Sequence, residues 1–172
     1  NNTQGQSFRL GTYATSNFEL NNDSQDTNLG LDLAWKPNAN QQVIATIKPD
    51  FGQVESDELI VNYSAVETLR SDKRPFFSVN QSLFDVQGPN SLKLVNTRRI
   101  GANAHNSTDK LHDIEAAAKY VFNGDSVNVG LLLANEGDVV ENDGKAFASF
   151  RWYSSFDRLS MGQLVNYVSN PF

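Results

Sequence analysis

The feature that most constrains this chain is a two-residue alternation of apolar and polar side chains, broken at intervals by clusters of Asn, Asp, Gly and Ser. Successive side chains of a strand point to opposite faces, and those turn-forming residues supply the backbone conformations that reverse a chain. Leu29, Leu31, Leu33 and Trp35 lie in one phase, and Gly30, Asp32, Ala34 and Lys36 in the other. The run closes at Pro37-Asn38-Ala39-Asn40, and residues 42–48 complete a hairpin. Residues 115–122 and 126–135 form a second pair around Asn123-Gly124-Asp125, whose glycine accepts the positive φ of a tight turn. Residues 146–153 and 159–168 form a third, joined through Ser154-Ser155-Phe156-Asp157-Arg158. The polar stretch 137–144 reads as an exposed loop. Eight to ten strands fit the chain by this reading, to the usual boundary error of a few residues. Helical signals are weak: residues 58–69 have room for one helical turn, but Val61, Tyr63 and Val66 make no sustained face. The predicted class is all-β with antiparallel pairing.

Alternation alone fits a barrel and a sandwich equally, since both repeat short strands with turn signals. Ala116, Ala117 and Ala118, then Leu131, Leu132 and Leu133, place small or apolar residues in both phases. That suits a strand covered on both sides or one that meets lipid. Phe147, Phe150, Trp152, Tyr153 and Phe156 gather near one strand end, where a membrane barrel carries an interfacial girdle and a sandwich its core. No run approaches the ~20 apolar residues of a membrane-spanning helix. The mean hydropathy of −0.45 is still compatible with barrel strands, which need only ~10 residues of alternating polarity. A net charge of −6 with scattered basic residues argues against a nucleic-acid partner. The absence of cysteine removes disulfides and thiolate metal sites. The chain opens Asn1-Asn2-Thr3 and stops at Asn170-Pro171-Phe172, just after a strand-like run. Both ends are therefore expected to be cuts in a longer polypeptide, with residues 1–172 a single barrel segment.

Residues 49–101 form a motif-rich inner segment. Its first element is Pro49-Asp50-Phe51-Gly52-Gln53-Val54-Glu55-Ser56-Asp57; an asparagine-led stretch over residues 62–70 follows, and Lys73-Arg74-Pro75-Phe76-Phe77 succeeds it. Thr97-Arg98-Arg99-Ile100-Gly101 closes the series. With the preceding strand over residues 31–37, these elements resemble an uncharacterised family of bacterial outer-membrane proteins. In that family a module like carbohydrate-binding family nine precedes a C-terminal β-barrel, and the match lies in the barrel part. The resemblance is sharp over about 70 residues and generic beyond them. It implies a location in the bacterial outer membrane, with membrane lipid and the remainder of the barrel as partners, and polysaccharide or oligosaccharide as a partner of the absent module. The family continues KRPFF with leucine, glutamate and glycine, where this chain has Ser78-Val79-Asn80.

The charged members of the segment have two readings. Asp50, Glu55, Asp57 and Glu67 are expected to pair with Lys73, Arg74, Arg98 and Arg99 across a barrel interior, satisfying one another; in an extended run only one of Arg98 and Arg99 faces that network. Gln53 belongs to the same motif. A glycoside-hydrolase chemistry would instead require two carboxylates at a fixed separation across a cleft, and nothing in the spacing supplies one. Asp50, Glu55 and Asp57 are calcium-type ligands without EF-hand spacing, and His105 and His112 lack the pattern of a zinc site. No serine sits in GxSxG and no phosphate loop is present. No catalytic residue, metal or cofactor is therefore assigned. Phe76 and Phe77 suit a hydrophobic anchor better than a stacking platform. The expected role is structural or related to transport; the alternatives are a carbohydrate-active surface protein and a β-sandwich binding domain.

Overall fold

A computed structural model describes residues 6–19, 24–49, 74–86, 94–95, 97, 100–101, 113–138 and 144–169. Seven strands form one antiparallel sheet: β1 (Ser7–Glu19), β2 (Ser24–Asn38), β3 (Gln41–Ile47), β4 (Ile114–Asn123), β5 (Val127–Glu136), β6 (Ala146–Phe156) and β7 (Leu159–Ser169). Their order in space is their order in sequence, so every connection joins neighbours and β1 and β7 are the two edges. A short helix, α1 (Pro75–Ser78), and a 3-10 turn (Gln81–Leu83) lie between β3 and β4. Among the described residues no helix is long and apolar enough to cross a membrane.

The three expected hairpins are present, two of them with tighter turns than the sequence suggests; in the third, Gly124 does not take the positive φ expected of it. β2 runs on through Pro37 to Asn38, leaving Ala39-Asn40 as the turn. β6 continues through Ser154, Ser155 and Phe156, so the predicted five-residue connection shrinks to Asp157-Arg158. Asp157 takes φ 42°, a conformation its short polar side chain tolerates, and this lets the chain reverse without glycine. β1 is a strand the alternation did not announce. The sandwich alternative finds no second sheet among the described residues. Residues 50–73, where the weak helical signal falls, lie outside them.

Register separates two faces cleanly. One cross-strand row reads Phe8, Trp35, Val43, Tyr120, Leu131, Phe150 and Val165. The next row, one residue along and therefore on the opposite face, reads Arg9, Ala34, Ile44, Lys119, Leu132, Ser149 and Asn166. The second face carries the core: Ala117, Val121, Leu132 and Ala134 pack beneath Phe76, Phe77, Phe84 and Ile100 of the segment between β3 and β4. The first face is bare, with Leu29, Leu131, Val165 and Tyr167 all exposed. The terminal aromatic cluster divides accordingly: Phe150, Trp152 and Phe156 lie on the bare face, and Phe147 and Tyr153 on the covered one.

Gly130 shows how closely the segment is fitted. A Cβ there would stand 2.7 Å from Leu83 Cδ2 and 2.7 Å from Phe84 Cζ, so a side chain in mid-strand would lift the segment off the wall. Gly130→Val is therefore expected to destabilise the folded protein by about 1–3 kcal/mol through overpacking. Leu131→Val, on the bare face next door, should cost less than about 1 kcal/mol; thermal unfolding of the two variants in detergent checks the difference.

Candidate functional site

The covered face is where the unusual chemistry of this chain collects. Lys119, in the middle of β4, is 2% exposed. Its Nζ donates to three carbonyls, Phe76 O at 2.7 Å, Phe77 O at 3.2 Å and Val79 O at 2.7 Å. An ammonium has three protons and no acceptor, so three converging carbonyls suit it. Two of those carbonyls belong to a four-residue helix, whose terminal C=O groups have no partner inside the helix, and the third to the residue just after it. The lysine supplies the missing donors, and its charge suits the negative end of the helix.

Arg74 does the same from within the segment. Its two terminal nitrogens donate to Ile100 O and Thr97 O, each at 2.7 Å, tying the start of α1 to the chain more than twenty residues later. The guanidinium lies 4.2 Å from the centre of the Phe77 ring, and Lys119 Nζ 5.1 Å from that of Phe76. The two rings meet edge to face at 5.0 Å. Stacked cations over aromatic faces add attraction to the burial of the rings themselves. Phe77 is 1% exposed, so it is an anchor and presents no stacking platform to a ligand.

Glu136, at the far end of β5, completes the fastening with the opposite charge. It is 2% exposed, and its carboxylate accepts from Gly101 N at 2.8 Å and Lys145 N at 3.2 Å. Gly101 takes φ 75°, which accounts for glycine at the end of the Thr97-Arg98-Arg99-Ile100-Gly101 element. Asn80 takes φ 54°, at the place where the resembling family carries the glycine of its leucine-glutamate-glycine. Asparagine is among the few side chains at ease there, and its Nδ2 donates to Gln42 Oε1 on β3 at 2.8 Å. Where the resembling family has glycine, this chain thus has an asparagine that bonds to β3.

Of the residues singled out from the sequence, Arg74, Phe76 and Phe77 come together on the covered face. Asp50, Gln53, Glu55, Asp57, Glu67, Lys73, Arg98, Arg99, His105 and His112 lie outside the described residues. Lys119 and Glu136 were not anticipated, because in an alternating strand either reads as one more solvated polar residue. What the site does is mechanical: it satisfies an irregular backbone against a sheet. Thr46 Oγ1 donating to Asp32 Oδ1 at 2.6 Å and Ser149 Oγ donating to Asn166 Oδ1 at 2.8 Å extend the polar lining along the same face.

Lys119→Met keeps the volume of the side chain and removes all three donors. Leaving those buried carbonyls without them is expected to cost at least about 3 kcal/mol. The segment should also become susceptible to thermolysin at Phe76, Phe77 and Phe84 under conditions in which the wild type resists; timed digestion followed by mass spectrometry checks this.

Comparison with curated proteins and with solved structures returned no match. Residues 9–131, well over half of the chain, match the family described as Domain of unknown function (DUF5916). That stretch takes in β1 to β4, the fastened segment and the first half of β5, and the chain belongs to the DUF5916 family.

Proposed function

We propose that this chain is a stretch of the wall of a bacterial outer-membrane β-barrel, with a structural or transport role, its bare face toward lipid and its covered face toward the lumen. The observation that carries the reading is the bare face. Across seven strands it presents rows such as Leu10, Leu33, Ala45, Ala118, Leu133, Ala148 and Tyr167, with no Asp, Glu, Lys or Arg among them. The opposite face holds Arg9, Asp32, Lys36, Lys119, Glu136 and Arg151. A half-buried sheet in water is apolar toward its core and polar outward, whereas here the covered face holds both the core and the charges and the outward face is largely apolar.

Dimensions agree. β4 to β7 are ten or eleven residues long. At ~3.4 Å per residue and a tilt near 45°, such strands span roughly 24 Å, close to the ~25 Å apolar band of outer-membrane barrels. The edges point the same way: among the described residues β1 and β7 are each paired along one side only, and a barrel needs further strands to cover the other. The fastened segment then lies inside the wall and narrows the passage, which suits a structural or transport-related role.

In cells the full-length protein is expected in the outer-membrane fraction, extracted only by detergent, with migration on gels that shifts on heating. Recovery in the soluble fraction without detergent would contradict the reading. A single substitution sharpens the test. Leu131, 36% exposed in the middle of β5, should tolerate arginine within about 0.5 kcal/mol if water covers it. In a bilayer Leu131→Arg should cost about 2–4 kcal/mol, measured by urea unfolding in vesicles.

A further inference from the structure

The sheet's two ends are unlike, and the difference assigns them to opposite sides of the membrane. This inference rests on the barrel reading and adds an orientation to it. The connections β2–β3, β4–β5 and β6–β7 are turns of two or three residues, Ala39-Asn40, Gly124-Asp125-Ser126 and Asp157-Arg158, all at one end. The connections at the other end include the stretch between Glu136 and Ala146 and the whole excursion between Ile47 and Ile114. Outer-membrane barrels keep short turns on the periplasmic side and long connections outside.

Aromatic placement puts the tight-turn end at a membrane–water interface. On the bare face, Phe8, Trp35, Tyr120, Phe122, Trp152 and Phe156 all fall within four residues of the tight-turn end. Rings of this kind settle at the level of the lipid headgroups. The other end of that face is lined by Ala45, Ala116, Ala118, Ala146 and Ala148, which form a shallow apolar groove of about 470 Å³.

We infer that the tight turns and their aromatic belt face the periplasm, and that the described part of the segment between β3 and β4 packs inside the lumen from the cell-surface end of the wall down to the cross-strand row of Gln42 and Gly130. Its contacts trace that path. Gly101 is held by Glu136, the last residue of β5 at the long-connection end. Leu83 and Phe84 sit over Gly130, six residues down the same strand, or ~20 Å at the usual strand rise. Asn80 reaches Gln42, the second residue of β3, beside the tight turns. Non-helical backbone at membrane depth survives only where protein satisfies its polar groups. Glu136 provides that satisfaction at the end of β5 and Lys119 in the middle of β4, while Arg74 ties the segment's own carbonyls together.

The test is single-cysteine labelling of the full-length protein in whole cells with a membrane-impermeant maleimide, since this chain contributes no cysteine of its own. Asn40→Cys, Asp125→Cys and Arg158→Cys sample the tight turns, and Asp113→Cys and Asp138→Cys the opposite end. Heat-dependent migration of each variant reports that it has folded, and five separate positions keep the result from hanging on one. The expected result is labelling of Cys at 113 and 138 in intact cells, with the three turn positions labelled at least tenfold more after the outer membrane is permeabilised. The reverse pattern would overturn the orientation while leaving the barrel standing. Labelling of both sets only after permeabilisation, in a protein recovered without detergent, would overturn the barrel and this inference together.

Discussion

The arrangement of this chain depends on three carbonyls converging on one buried ammonium. α1 is too short to satisfy its own backbone, and the chain around it is irregular, so its oxygens need donors wherever it is buried. Lys119 offers all three protons to them from the middle of β4. Desolvating a lysine costs several kcal/mol, and full hydrogen bonding with an aromatic face nearby offsets that cost. Without the lysine, Phe76 and Phe77 would bring unpaired backbone into the core with them. The covered face would then be as bare as the other.

From that fastening the division of labour between the two faces follows. The inner face has small residues where the segment presses against it and charge where the segment's backbone needs partners; Gly130 and Lys119 illustrate the two. The outer face needs neither, and is mainly leucine, valine, alanine and aromatic rings, with uncharged polar residues such as Thr12, Ser16 and Gln163 among them. A sheet with one face packed by its own excursion and the other largely apolar and unpacked is what the proposed contact with lipid would accommodate. The resemblance to outer-membrane proteins rested on short motifs, and among their described residues Arg74, Phe76, Phe77, Ile100 and Gly101 take part in the fastening. The part of the resemblance concerning sugar binding belongs to a module this chain does not contain.

Much of the fold was legible because period two is a local signal. The hairpins around Asn40, Gly124 and Asp157 follow from alternating side chains and turn chemistry without knowledge of anything distant. β1 was not legible: after Phe8 and Leu10 its outward phase passes to Thr12, Ala14 and Ser16, which carry too little contrast against the inward phase. Turn lengths were overestimated at Pro37 and Ser154, because polar residues that resemble loop also suit a strand end. The site was half legible. Arg74, Phe76 and Phe77 stood out by motif, but their partners come from packing across more than twenty residues of sequence. Lys119 and Glu136 differ from solvated residues only in what covers them, and alternation records which face a residue is on, never whether that face is wet.

The central claim is that the bare face meets lipid, and the two tryptophans of this chain, Trp35 and Trp152, both lie on it near the tight turns. The direct measurement is fluorescence quenching by lipids brominated at known depths, with the full-length protein in vesicles and a Trp35→Phe/Trp152→Phe variant as the reference. The difference signal should be quenched by bromine, and more strongly by bromine near the headgroups than near the bilayer centre. A difference signal that bromine leaves unchanged while aqueous iodide quenches it would place both rings in water and contradict the account.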